Sequence, residues 1–229
     1  MPTARPSTPD LAAFLHRVPA FADLDDAAVK LLARVAHIKR VSRHTYLFYQ
    51  DDPGDTAYVV LSGEIAILLA TPDGRELVIN ELYAGECFGE LALLTNAPRS
   101  ASALARKESE VVVLPRAEFM AELERQPKLM RHVLEVTAQR LRDSTERERA
   151  LAFYDAPARL ARILLEMDRA ASDRGFITLS QDEIAQHVGI ARQTAAKILG
   201  QWRRAGWLLT GRGKIVLLDR AALRKRAQQ

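Results

Sequence analysis

Cysteine is nearly absent from this chain of 229 residues: Cys87 stands alone. One thiol excludes a disulfide framework, and it cannot hold an iron–sulfur cluster, which takes about four thiolates. Flanked by Glu86 and Phe88, it is expected to be a small buried hydrophobe. The five histidines, His16, His37, His44, His132 and His187, share no metal-ligand spacing, so neither a metal nor a haem is expected. No apolar run approaches the roughly 18 residues that suggest a membrane span. A nucleophile–base pair, a metal cluster and a P-loop are all missing, which argues against an enzyme. Met1–Asp10 is rich in proline and threonine and lacks the apolar block of a signal peptide. It is expected to be a disordered lead-in to a cytoplasmic protein.

Charge is unevenly placed. The net charge is +4, yet Asp155–Gln229 carries 14 Lys/Arg against 7 Asp/Glu, while the preceding residues carry 19 against 22. The basic excess is thus confined to the C-terminal third, which points to a nucleic-acid partner for that part alone.

Length suits two domains, each with a core of its own. Leu11–Ala36 reads as two short helices, the second capped within Asp23-Leu24-Asp25-Asp26. From Val41 to Leu114 the period changes. Short apolar runs at Tyr46–Tyr49, Tyr58–Leu61, Ile65–Leu69, Leu77–Ile79 and Val111–Leu114 are separated by Pro53-Gly54, Ser62-Gly63, Asp73-Gly74 and Ala84-Gly85. Such spacing predicts an antiparallel jelly roll, whose interior can take one small ligand. Arg116 to about Leu151 returns to helical spacing. Within it Met130, Leu134, Thr137, Leu141, Ser144, Glu148 and Leu151 alternate at steps of four and three, the seam of a coiled coil. Its second half is polar. Either the helix end is simply solvated, or the seam hydroxyls meet a ligand at a dimer interface. Pro157 sets a hinge near Asp155.

Beyond the hinge, Arg159–Ala170 is amphipathic, and a loop follows at Ser172–Gly175. Ser180-Gln181-Asp182-Glu183 is a capping box, and its helix ends at Gly189. A second helix is expected over Arg192–Arg204, completing a helix-turn-helix. Gly206–Leu209 and Lys214–Leu218 flank Gly211-Arg212-Gly213 as a hairpin, which makes the module a winged helix. On the second helix Ile198, Leu199 and Trp202 face inward, while Arg192, Gln193, Ala196 and Lys197 lie opposite on its first turns. Those turns reach base edges in a major groove. Arg pairs with guanine, Gln with adenine, and a small apolar side chain meets a thymine methyl, while the alternative for Arg192 alone is a phosphate clamp. Arg203, Arg204, Arg212 and Lys214 are expected to contact phosphates, which position without specifying sequence. Ala191 is a weak cap where Ser or Thr would be usual.

The densest signal is Phe88-Gly89-Glu90-Leu91-Ala92-Leu93, followed by Pro98-Arg99-Ser100-Ala101-Ser102. A guanidinium beside small residues and backbone N–H groups suits a phosphate, which it binds bidentately. Glu90 would repel a phosphate but can accept from a sugar hydroxyl. The alternative is a buried Glu90–Arg99 pair joining two strands.

This segment resembles the phosphate-binding cassette of the Crp-Fnr regulators, and the resemblance runs from about Leu11 to Leu218. It implies that Gly89 and Glu90 hold the ribose, that Arg99 and Ser100 hold a cyclic phosphate, and that Leu91 belongs to the same binding segment. Ser144 and Thr145, within Arg140–Glu146, match the adjacent hydroxyls that reach the purine in cyclic-AMP binders, in reversed order. The best-known members carry an Arg-Glu pair and a later Arg on the recognition helix. Here Arg192, Gln193 and Lys197 stand there, so the usual operator is not expected. The resemblance implies an α+β chain with three parts: an N-terminal antiparallel β-roll that binds a cyclic nucleotide (1–115), a long dimerisation helix (116–154) and a C-terminal winged helix-turn-helix (155–229). The implied effector is cAMP. Implied partners are double-stranded DNA, a second copy and RNA polymerase, with no membrane. Two alternatives stay open, a ligand-independent regulator and one answering to another effector such as cyclic di-GMP.

Overall fold

A computed structural model describes residues 8–71, 75–171, 174–211 and 213–229. The Asp73-Gly74 turn, Ser172 and Arg212 lie outside these described residues. The described residues divide into two compact units, one lying within the ranges 8–69 and 80–141, the other within 70–79 and 142–229.

In the first unit, helix α1 (Thr8–Arg17) begins inside the stretch expected to be disordered. Helix α2 (Asp26–Val35) is capped by Asp25, whose Oδ1 accepts the Ala28 N–H at 2.7 Å. Among the described residues eight strands follow in the chain, of which β4 ends and β5 begins in the second unit: β1 (His37–Val41), β2 (Tyr46–Phe48), β3 (Thr56–Ser62), β4 (Ile65–Ala70), β5 (Glu76–Leu82), β6 (Cys87–Phe88), β7 (Ser102–Ala105) and β8 (Ser109–Pro115). They form two four-stranded sheets, β1-β8-β3-β6 and β2-β7-β4-β5. This is the roll expected from the strand spacing.

Strands β3 and β8 explain why the sequence runs are apolar without alternation. They pair antiparallel with Tyr58 opposite Val113 and Val60 opposite Val111. Successive side chains point to opposite faces. Tyr58, Val60, Val111 and Val113 therefore enter a core inside the roll with Ile65, Leu82 and Phe88. Ala57, Val59, Val112 and Leu114 enter a second core with Leu15, Phe21, Leu32, Phe119 and Leu129. Both faces are covered, so no position on these strands has to be polar.

Gly63 follows β3 with a φ of +93°, and a Cβ there would stand 2.2 Å from Ser109 Oγ and 2.6 Å from the Glu108 carbonyl. Gly63→Ala is expected to combine a strained backbone with a clash, together about 3 kcal/mol. Differential scanning calorimetry should show the roll unfolding several degrees lower; an unshifted midpoint would contradict the fit.

The helical stretch from Arg116 is two helices rather than one. Helix α4 (Arg116–Arg125) stops at Gln126, which has extended backbone, and α5 (Pro127–Phe153) starts at the proline. Proline offers no N–H and pushes the preceding residue out of helical space. A short helix, α3 (Glu90–Thr95), also forms inside the glycine-punctuated segment.

The second unit holds α6 (Ala156–Ala170), α7 (Gln181–Val188), α8 (Arg192–Arg204), the antiparallel pair β9 (Leu208–Gly211) and β10 (Lys214–Leu217), and α9 (Arg220–Arg226). Asp155 caps α6 by accepting the Ala158 N–H at 2.8 Å. The capping box of α7 is complete: Ser180 Oγ accepts the Glu183 N–H, and Glu183 Oε2 accepts the Ser180 N–H. Leu160, Leu164, Ile184, Ile198, Leu199, Trp202, Ile215 and Leu223 share one core. Leu223 belongs to α9, a helix the sequence reading did not include. Asp219 caps it, and Arg220 fixes it to α6 through a two-pronged pair with Asp168 at 2.8 and 3.0 Å. Among the described residues no helix is long and apolar enough to cross a membrane.

Candidate effector site and nucleic-acid interface

Arg99 is only 3% exposed. Its Nη1 donates to the Gly89 carbonyl at 2.7 Å and its Nη2 to Thr56 Oγ1 at 3.1 Å. The guanidinium lies 4.4 Å from the Phe48 ring centroid and 5.4 Å from that of Tyr58. Two backbone bonds with Asp51 and Asp52 fix the main chain at this residue. A cation stacked on aromatic rings and held at both prongs is pre-oriented. Its Nε is buried without a hydrogen-bond partner.

Gly89 holds a left-handed φ of 78° as the N-cap of α3, and no side chain caps that helix. A Cβ there would come within 2.8 Å of Arg99 Nη1. Glycine is therefore required on two counts, the backbone conformation and the approach of the guanidinium.

Glu90, the first residue of α3, is buried. It does not pair with Arg99. Its Oε1 accepts from Arg140 Nη1 at 2.5 Å, and Arg140 Nη2 also donates to the Cys87 carbonyl at 2.6 Å. The Glu90–Arg99 pair weighed as an alternative is thus not what holds this segment. Arg140 is the functional candidate that sequence reasoning missed, although it begins the Arg140–Glu146 stretch that carries Ser144 and Thr145. Glu90 Oε2 remains buried with no partner. Burial, then the Glu90 carboxylate, push the half-buried Cys87 thiol up to about 12, so it stays protonated at neutral pH.

Leu91 is half-buried on α3, and Ser100 is exposed directly after Arg99. Gly89, Glu90 and Arg99 are thus brought together around the start of α3. Ser144 and Thr145 lie farther along α5, in the second unit. Ser144 is half-buried with Oγ 3.5 Å from Glu148 Oε1, and Thr145 is exposed. On the same helix the seam residues Leu134 and Leu141 are 61% and 68% exposed.

In the second unit Arg192, Gln193 and Lys197 are exposed at the start of α8, with Ala196 half-buried beside them. Ala195, Ile198, Leu199 and Trp202 turn inward, so the helix divides as its spacing predicts. Ala191 makes no side-chain cap. Arg192 Nη1 is 3.3 Å from Asp182 Oδ2 of α7. Arg203 and Arg204 are exposed in the last turn, and Lys214 stands 4.4 Å from the Phe176 ring centroid.

Residues 38–126 match the cyclic nucleotide-binding domain family, and residues 158–226 match the Crp-like helix-turn-helix domain. A CRP-like cAMP-activated global transcriptional regulator of Mycobacterium tuberculosis is 30% identical over 93% of this chain and 98% of its own length. The cAMP-activated regulator Vfr of Pseudomonas aeruginosa is 30% identical over 82% of this chain and 92% of its own. Among solved structures, the c-di-GMP responsive regulator CLP of Xanthomonas campestris superposes with a TM-score of 0.76 at 25% identity, covering 84% of this chain and 99% of that one. With both domains matched in order and a relative aligned along nearly its whole length, the chain belongs to the Crp-Fnr family of transcription regulators.

Proposed function

We propose that the chain is a cytoplasmic homodimer whose affinity for near-palindromic DNA is set by cyclic AMP. The division of labour follows: residues 1–115 bind the effector, 116–154 carry the dimer helix, and 155–229 bind DNA. The observation that carries this reading is the pair of buried, partnerless polar atoms at the start of α3, Arg99 Nε and Glu90 Oε2. Unmet buried polar groups are rare in folded chains and call for an explanation. One is a cationic donor and the other an acceptor on a carboxylate, which fits an anionic phosphate beside a sugar hydroxyl. When bound, the nucleotide supplies the charge and hydroxyl that complete both.

Arg99 presents a guanidinium already held in place by Gly89, Thr56 and the rings of Phe48 and Tyr58, so little rotamer freedom is lost on binding. Ser100 adds a hydroxyl donor. Glu90, steadied by Arg140, accepts from the ribose. Ser144 and Thr145 offer hydroxyls to the purine from α5. Because α5 also carries Leu134 and Leu141, a ligand touching its hydroxyls biases the geometry of the dimer seam. Regulation requires that the ligand favour the DNA-competent state over the other. In that state two α8 helices enter successive major grooves about 34–36 Å apart, with Arg192, Gln193, Ala196 and Lys197 at base edges. Arg203, Arg212 and Lys214 meet phosphates. RNA polymerase is the partner to which such a dimer would present itself once on DNA.

Calorimetric titration with cyclic AMP, cyclic GMP and cyclic di-GMP tests the effector. Selective, saturable heat from cyclic AMP is expected. Selective binding of cyclic di-GMP would favour the second reading, for which the likeness to CLP speaks, and silence from all three would remove nucleotide control.

Asp182 adds a prediction at the DNA face. Its carboxylate holds Arg192 and would stand near the phosphates. Asp182→Asn is expected to raise DNA affinity by about 1 kcal/mol, roughly fivefold, with stability nearly unchanged. Fluorescence anisotropy with labelled duplex reads this, and a fall in affinity would mean that Asp182 orients Arg192 productively.

A further inference from the structure

A cavity of about 220 Å³ lies in the first unit between the roll and its helices. Ala20, Tyr58, Leu114, Phe119, Val133 and Val136 are among the apolar residues that line it, and Glu86, Glu90, His132 and Arg140 supply its polar groups. Its lining includes neither Arg99 nor Ser100, so it is separate from the phosphate end of the cassette.

Protein interiors are packed nearly as tightly as organic crystals, and voids larger than a water are few. An apolar cavity of about 150 Å³ already takes a guest the size of benzene. This one therefore has room for a substituted ring or a fused pair of rings. A charged guest is disfavoured. The lining is mainly apolar, and the Arg140 guanidinium is already engaged by Glu90 Oε1 and the Cys87 carbonyl. Glu90 Oε2, in contrast, is a buried acceptor without a donor. One N–H or O–H on an otherwise apolar guest would meet it.

We propose that this cavity is a second effector site, taking an uncharged aromatic molecule of one or two rings with a single N–H or O–H donor. Such a guest shares Glu90 with the ribose end of the cassette. Its binding and that of cyclic AMP then oppose each other reciprocally. Only this linkage rests on the nucleotide reading proposed above; the binding itself does not.

The probe is 5-fluoroindole, followed by fluorine NMR on the full-length protein without nucleotide. A saturable shift is expected. Val136→Trp and Ala20→Leu both fill the cavity, and each variant that retains the parent's circular dichroism should weaken binding tenfold or more. No saturable shift in the parent overturns the proposal, as does binding that survives in the folded, filled variants. A parallel cyclic-AMP titration separates the two ideas: cyclic AMP bound but 5-fluoroindole not sinks the cavity alone, whereas the converse sinks the nucleotide reading and leaves the cavity standing.

Discussion

Arg99→Leu is expected to weaken cyclic-AMP binding by a factor of about 150, which corresponds to about 3 kcal/mol. On the proposed reading the variant lacks the cationic donor that meets the phosphate, and no other cation of the cassette takes its place. The loss falls on binding more than on folding for a structural reason. Leucine keeps the apolar contact with Phe48 and Tyr58, where the guanidinium now lies. The Gly89 carbonyl and Thr56 hydroxyl lose their donor, a cost borne by the local loop. Arg99→Lys keeps the charge but not the fork, so it should fall between parent and leucine variant. Calorimetry on the three proteins gives the answer. Cyclic-AMP affinity unchanged in Arg99→Leu would remove the cassette assignment, whatever happened to DNA binding.

The second large effect concerns the seam of α5. Leu134 and Leu141 are large apolar side chains left mostly in water by this single chain, at 61% and 68% exposure. They recur at coiled-coil spacing and are the natural seam for a second copy. Leu134→Glu combined with Leu141→Glu places like charges opposite each other in a parallel pair. The doubly substituted chain is expected to be monomeric by sedimentation velocity, with its fold intact. Its affinity for a two-fold DNA site should drop about a hundredfold or more, because linked half-sites gain that much from effective concentration. A dimer that persists with undiminished DNA affinity would place the subunit interface elsewhere.

Much of this architecture could be read from the residues, and the failures have identifiable causes. Strands β3 and β8 announce themselves because both faces are buried, which makes unbroken apolar runs. Strand β7 hides for the opposite reason: Ser102-Ala103-Leu104-Ala105 is wholly buried but made of small residues that carry little β signal. Strand β1 is mostly exposed, and β6 has two residues. The split between α4 and α5 was legible in Pro127, whose missing N–H ends the helical run before it. At the site, Gly89, Glu90 and Arg99 sit within eleven residues, so their chemistry could be inferred together. The Glu90–Arg140 pair spans fifty positions, and nothing in a helical charge such as Arg140 distinguishes a buried partner from a solvated one. The same holds for Asp182 and Arg192, which meet only because α7 and α8 fold onto each other.

Control of DNA binding by cyclic AMP is read out by selecting binding sites from a random duplex library in parallel with and without the nucleotide. With the nucleotide, enrichment of two-fold symmetric sites is expected, their half-sites about one helical turn apart, about 34–36 Å. Without it, enrichment should be weak. Equal enrichment of the same sites in both arms, or none in either, would contradict control of DNA binding by cyclic AMP.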